Sequence, residues 1–191
     1  MAYSNITDPS AYFQTLLWTG NDVDGRALTN DGNSNLKPDL VWLKNRNVGY
    51  NHFLIDSSRG VTKYMSTNTD TADTTWADLV ESFDTNGFTV GDDGSQVPNH
   101  TGNTFVGWQW KANGGTTTSV SASGTGNGCV NACTHQANTT AGFSIITYTG
   151  RDDQLNNGQH SLLKHGLGAK PDLTILKRLD AAGDWYVSGK N

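Results

Sequence analysis

Two cysteines and a histidine come nearest to recognisable chemistry: Cys129-Val-Asn-Ala-Cys133, followed by His135. Thiolate and imidazole are zinc ligands, but structural zinc sites take four ligands in tight pairs. Cys-x3-Cys-x-His has no second pair to close the tetrahedron. A local disulfide or two free thiols is the expectation, with no metal and no cofactor. Without a secretory leader the disulfide is not required, so both states stay open. Asn21-Asp-Val-Asp-Gly25, Asp92-Asp93-Gly94 and Arg151-Asp-Asp153 resemble pieces of calcium loops. None alternates its oxygen donors or ends on a bidentate acid, and turn-forming Asp-Gly pairs explain them.

Catalytic groupings are equally sparse. His52, His100, His135, His160 and His165 are scattered, and no Ser or Cys sits in a Gly-x-Ser-x-Gly elbow. A glycosidase pair needs one raised and one ionised carboxyl at a defined separation. Glu81 is the only Glu, so that work would fall to Asp residues in turns. No enzyme activity and no catalytic residue is expected. Aromatic side chains remain, because flat rings stack on sugars and anchor protein partners. Trp42, Trp108 and Trp110 lie in apolar runs and read as core. Tyr50 and Trp76 stand beside polar loops and are the expected glycan or partner contacts.

The elements that would carry these residues are strands. Asp, Asn, Gly, Thr and Ser dominate the polar positions, and these favour turns and caps over helix interiors. Runs at Tyr12–Trp18, Asp39–Lys44, Tyr50–Asp56, Val61–Ser66, Gly87–Gly91 and Thr104–Lys111 predict strands. In the last, Val106, Trp108 and Trp110 share one face. Residues 74–83 give the one helical signal, with Trp76, Leu79, Val80 and Phe83 at i, i+3, i+4, i+7. Short strands joined by polar turns predict a mainly β fold, a β-sandwich or jelly-roll unit with at most one short helix.

The chain also repeats itself. Phe13-Gln-Thr-Leu-Leu-Trp-Thr-Gly20 returns as Phe143-Ser-Ile-Ile-Thr-Tyr-Thr-Gly150. Lys37-Pro-Asp-Leu40, then Leu43-Lys44, returns as Lys170-Pro-Asp-Leu173, then Leu176-Lys177. Common order and spacing mark an internal repeat of apolar strand pattern rather than of nucleophiles or ligands. The expected organisation is a first β-sandwich unit over 1–112, a Gly/Ser/Thr-rich linker over 113–141, and a partial second copy over 142–191. The second copy has no counterpart of the Trp108/Trp110 strand. A half-unit leaves apolar faces and strand edges open, so either the natural chain continues or these strands are completed on a neighbouring subunit or on the first unit.

A net charge of -5 and the lack of a basic run argue against nucleic acid as the main partner. No apolar stretch is long enough to span a bilayer, and the first residues lack a leader's apolar core. A product kept in the cytoplasm or assembled into a particle is expected.

Pro38-Asp-Leu-Val-Trp-Leu-Lys-Asn-Arg46, Asp56-Ser-Ser-Arg-Gly-Val-Thr-Lys63, Ser82-Phe-Asp-Thr-Asn-Gly-Phe-Thr-Val-Gly91 and Asn103-Thr-Phe-Val-Gly-Trp-Gln-Trp-Lys-Ala112 together resemble a tandem-repeat module of marine and cyanobacterial phage virion proteins. Gly142-Phe-Ser-Ile-Ile-Thr-Tyr-Thr-Gly150 and His165-Gly-Leu-Gly-Ala-Lys-Pro-Asp-Leu173 resemble the start of its next copy. The resemblance implies a non-enzymatic virion protein, most plausibly a tail or tail-fibre component, assembled in the host cytoplasm. Expected partners are copies of itself in a homo-oligomer, other virion proteins and host-surface glycan. A glycan-binding adhesion module and a capsid decoration protein are the alternatives.

Overall fold

A computed structural model describes residues 6–92, 94, 98–150 and 160–189. After a single 3-10 turn at Pro9–Ala11, the strands run β1 (Phe13–Thr19), β2 (Arg26–Thr29), β3 (Leu40–Asn45), β4 (Phe53–Asp56), β5 (Lys63–Ser66), β6 (Thr74–Thr75), β7 (Ser82–Asp84), β8 (Gly87–Val90) and β9 (Thr104–Trp110). They continue as β10 (Thr118–Val120), β11 (Cys133–Asn138), β12 (Phe143–Tyr148), β13 (Leu173–Lys177) and β14 (Trp185–Gly189). The fold is mainly β, and among the described residues these strands pair antiparallel, with parallel contacts only at the isolated bridges Gly20↔Thr101 and Val130↔Leu162.

The first nine strands make two sheets, ordered β1-β9-β3-β4-β5-β6 and β2-β8-β7. Strand alternation sends Trp18, Val41, Leu43, Phe53, Ile55 and Phe105 inward from the large sheet. Leu28, Phe88 and Val90 of the small sheet meet them, with Leu79 and Val80 filling the side. This is β-sandwich-like packing of two sheets through one core. Gly107 permits it, since a Cβ there would lie 3.1 Å from the Phe88 ring and 3.3 Å from Leu43. Two buried amides, Asn30 and Gln109, hydrogen-bond each other between the sheets, so neither leaves a polar group unsatisfied.

The helix expected over 74–83 is not formed. Thr74 and Thr75 pair with β5 instead, a turn follows, and the chain re-enters a sheet at β7. Glu81 N donates to Thr89 O at 2.9 Å, and Gly91 N donates to Asp78 O at 3.2 Å. Sheet partners have taken the groups that a helix would need. The apolar spacing is real, but Leu79 and Val80 reach the core from a turn.

Residues 113–141, expected to be an extended linker, carry β10 and β11, which pair with β12 in the order β10-β11-β12. Gln136 on β11 is buried and docks this sheet on the first unit. Its Nε2 donates to Ser57 Oγ and Ser58 Oγ at 2.8 and 2.7 Å, and its Oε1 accepts from Gly115 N at 3.1 Å. A polar composition hid strands whose anchor is an amide rather than an apolar side chain.

The β13–β14 hairpin repeats the β3–β4 hairpin in register. Leu40↔Asp56, Val41↔Ile55, Trp42↔Leu54 and Leu43↔Phe53 return as Leu173↔Gly189, Thr174↔Ser188, Ile175↔Val187 and Leu176↔Tyr186, every position displaced by 133. Its turn end rests on the segment after β5. Asp73 N donates to Leu179 O at 2.8 Å, Gly183 N to Asp70 O at 2.8 Å, and Trp185 Nε1 to Thr69 O at 3.0 Å.

Candidate interaction surfaces

The outer face of the six-stranded sheet gathers the aromatics that the core does not use. Register places Phe13, Trp110 and Leu40 in one row, and Thr15, Trp108, Trp42, Leu54 and Met65 in the next. Trp42 and Trp108 meet at 5.4 Å between centroids, and Trp42 Nε1 donates to Thr67 Oγ1 at 3.0 Å. Trp110 lies between Phe13 at 5.0 Å and Phe143 at 6.2 Å. Phe143 is the repeat's counterpart of Phe13, and both pack on Trp110 of the first copy. Leu17 on the edge strand is 58% exposed and Phe13 39%.

Here the sequence reading of Trp42, Trp108 and Trp110 as core is corrected. All three are half-buried on the outer face, while Phe105 and Gln109 of the same β9 strand are buried within. Alternation split β9 as expected, but both of its faces are apolar, and the face with the larger rings is not the one the small sheet covers.

Trp76 goes the other way. It is half-buried, with its ring against Phe53 at 6.1 Å and Tyr64 at 6.4 Å, and packs on the core instead of forming an open platform. Tyr50 is half-buried in the loop before β4. Tyr50 and Trp76 do not share a ring cluster; among the described residues those clusters are Phe53/Tyr64/Trp76, Trp42/Trp108, Phe13/Trp110/Phe143 and Trp18/Phe88/Phe105. The outer-face grouping was missed because an apolar run buried on both sides and one half-open give the same letters.

The groups weighed for chemistry are placed as follows. Cys129 and Cys133 are free and buried, and Cys133 Sγ lies 3.5 Å from Lys164 O. Among the described residues, no three His, Cys, Asp or Glu side chains gather as metal ligands. Asn21 and Asp22 act within loops: Asn21 Oδ1 accepts from Val23 N at 3.2 Å, and Asp22 Oδ1 from Thr101 N at 2.7 Å. Arg151, Asp152 and Asp153 lie outside the described residues. His135 and His165 line an open cleft of about 490 Å3 with Leu162, Lys164 and Lys170. No helix among the described residues is long and apolar enough to cross a membrane.

The Glu81 carboxyl and the His52 imidazole are both perturbed. Burial, then the Asp24, Asp78 and Asp92 carboxylates, pushes the Glu81 carboxyl above its ordinary value of 4.5. The fold therefore favours its protonated form. That stabilisation is complete below pH 4.5 and disappears as pH rises through the raised value. Glu81→Gln should consequently flatten the stability curve, with a melting temperature above wild type near neutrality and no gain in acid. Thermal melts across that range check this. The His52 imidazole is pushed below 6.5 by burial and by Lys44, so its contribution is present above 6.5 and fades as pH falls.

A family model, the domain of unknown function DUF7483, matches residues 8–191. The chain belongs to that family. The DUF7483 match runs through the sandwich, the β10–β12 sheet and the β13–β14 hairpin, so both copies and the segment between them fall within it. No curated protein and no solved structure matches the chain.

Proposed function

We propose that this chain is a non-enzymatic assembly module, and that the assembly is a bacteriophage virion, with the chain serving as a tail or tail-fibre component. One observation carries the reading. The hairpin register that the first copy buries is built again in the second with its apolar side chains in solvent. Leu43 and Phe53 are 1% and 4% exposed in the first copy, whereas their counterparts Leu176 and Tyr186 are 36% and 66% exposed. Leu173, Ile175 and Val187, whose counterparts Leu40, Trp42 and Leu54 are half-buried, are 60%, 55% and 66% exposed. Covering a side chain of this size is worth roughly 1.5–3 kcal/mol, and a two-stranded hairpin open on both faces gains most from a neighbour. The phage assignment itself comes from the motif strings and their resemblance to virion modules.

Self-association fits the outer face of the large sheet, which carries Phe13, Leu17 and the half-buried Trp42, Trp108 and Trp110 in successive rows. Contact with other virion proteins fits the hairpin. Locating the chain in an image of the intact virion tests the assignment directly; its absence from the particle would end it.

A second reading rests on the same rings. Trp42, Trp108 and Trp110 on a half-open face could stack on host-surface sugars. Trp108→Ala is the discriminating variant, because Trp76→Ala would disturb the core packing of Phe53 and Tyr64. If sugar binds on a glycan array and Trp108→Ala abolishes it, adhesion joins the role; if no sugar binds at millimolar concentration, assembly alone remains.

A further inference from the structure

The first copy records what belongs beside the second copy's hairpin. There β3 is flanked by β4 on one side and β9 on the other, with Leu40↔Trp110, Trp42↔Trp108 and Lys44↔Val106 in register. In the second copy β13 has β14 on the matching side and, among the described residues, no strand on the other. The hairpin itself is held at its turn end by Asp70, Asp73 and Thr69, so its register is set before anything binds.

We infer that the free edge of β13 accepts an extended segment with the pattern of β9, running antiparallel to β13. This rests on the assembly reading above and gives it a partner. Backbone N–H and C=O groups along the open edge supply the ladder, and alternate side chains supply selectivity. The register specifies the occupant. Large aromatic residues belong opposite Leu173 and Ile175, as Trp110 and Trp108 lie opposite Leu40 and Trp42. A glycine belongs opposite Leu176, as Gly107 lies opposite Leu43.

The test uses the whole chain and a labelled synthetic peptide of Asn103–Ala112, followed by fluorescence anisotropy. Saturable binding of one peptide per chain is expected. Ile175→Lys with Val187→Lys in the chain should weaken it by about tenfold or more, charged side chains being poor neighbours in a buried strand pair. A peptide with both tryptophans changed to Ser should weaken it similarly, which guards against misfolding of the protein variant. Absence of binding overturns the inference, as does binding indifferent to both sets of changes. So does self-association that the double variant abolishes while the peptide fails to compete, since copies of the chain would then cover the hairpin. That last result would leave the assembly function standing, whereas a monomeric chain that binds the peptide would keep the acceptor and remove self-association.

Discussion

Arg59→Ala is expected to destabilise the first unit by about 3–5 kcal/mol, the cost of removing one partner from a buried ion pair. Arg59 Nε donates to Asp56 Oδ2 at 2.6 Å, Nη1 to Asp73 Oδ1 at 2.6 Å, and Nη2 to Leu54 O at 3.1 Å. The Arg59 and Asp56 side chains are only 7% and 4% exposed, so water cannot take over the role of the lost guanidinium. Lys63 is 3.8 Å from Asp73 and partly solvated, too far to neutralise Asp56 as well. Asp56 also accepts from Ser58 N and Arg59 N, closing the turn between β4 and β5. Arg59→Lys keeps the charge but loses the planar fork, and should fall between wild type and Ala. Denaturant unfolding measures the loss as a lower midpoint at unchanged slope; a change below about 1 kcal/mol would place this trio among ion pairs of no consequence.

Asp39→Ala is the second large effect, expected at about 3 kcal/mol because buried donors lose a charged acceptor. Asp39 is fully buried. It accepts from Ala112 N at 2.7 Å, Gly114 N at 2.9 Å and Ser57 Oγ at 2.8 Å. One carboxylate thus joins the start of β3, the exit from β9 and the end of β4. Ser57 Oγ in turn accepts from Gln136, so the docking of β11 depends on the same carboxylate. Alongside the lower stability, the Ala variant should be cleaved faster by protease within residues 113–141. Asp39→Asn can still present one oxygen to Ala112 and Gly114, and its loss should be smaller. Equal losses for Asn and Ala would show that charge, not hydrogen-bond geometry, governs the site.

Much of the fold could be read from the letters. Strands at β1, β3, β4, β5, β8 and β9 were legible because alternation or a dense apolar run survives without tertiary information. β2 was not: Leu28 is its one large apolar residue, and its place comes from pairing with β8 across the sandwich. β10 and β11 were hidden for a related reason, their sheet being fastened by the Gln136 amide and β12. The helical spacing at Trp76, Leu79, Val80 and Phe83 misled because period alone cannot say whether the backbone groups already have sheet partners. The repeat was fully visible, and the hairpin register carries it into three dimensions.

The candidate surfaces were legible only in part. Val106, Trp108 and Trp110 were correctly grouped on one face, but which face the small sheet covers depends on the packing of Phe88 and Leu28. Trp76 was picked for its polar neighbours in sequence, a guide that does not foresee its ring packing on Phe53 and Tyr64.

The most direct test of an assembly module is its mass in solution. Light scattering on the purified chain at micromolar concentration should give a closed oligomer of the 20.5 kDa subunit. A monodisperse monomer, stable and soluble with its aromatic face and second hairpin in water, would contradict it.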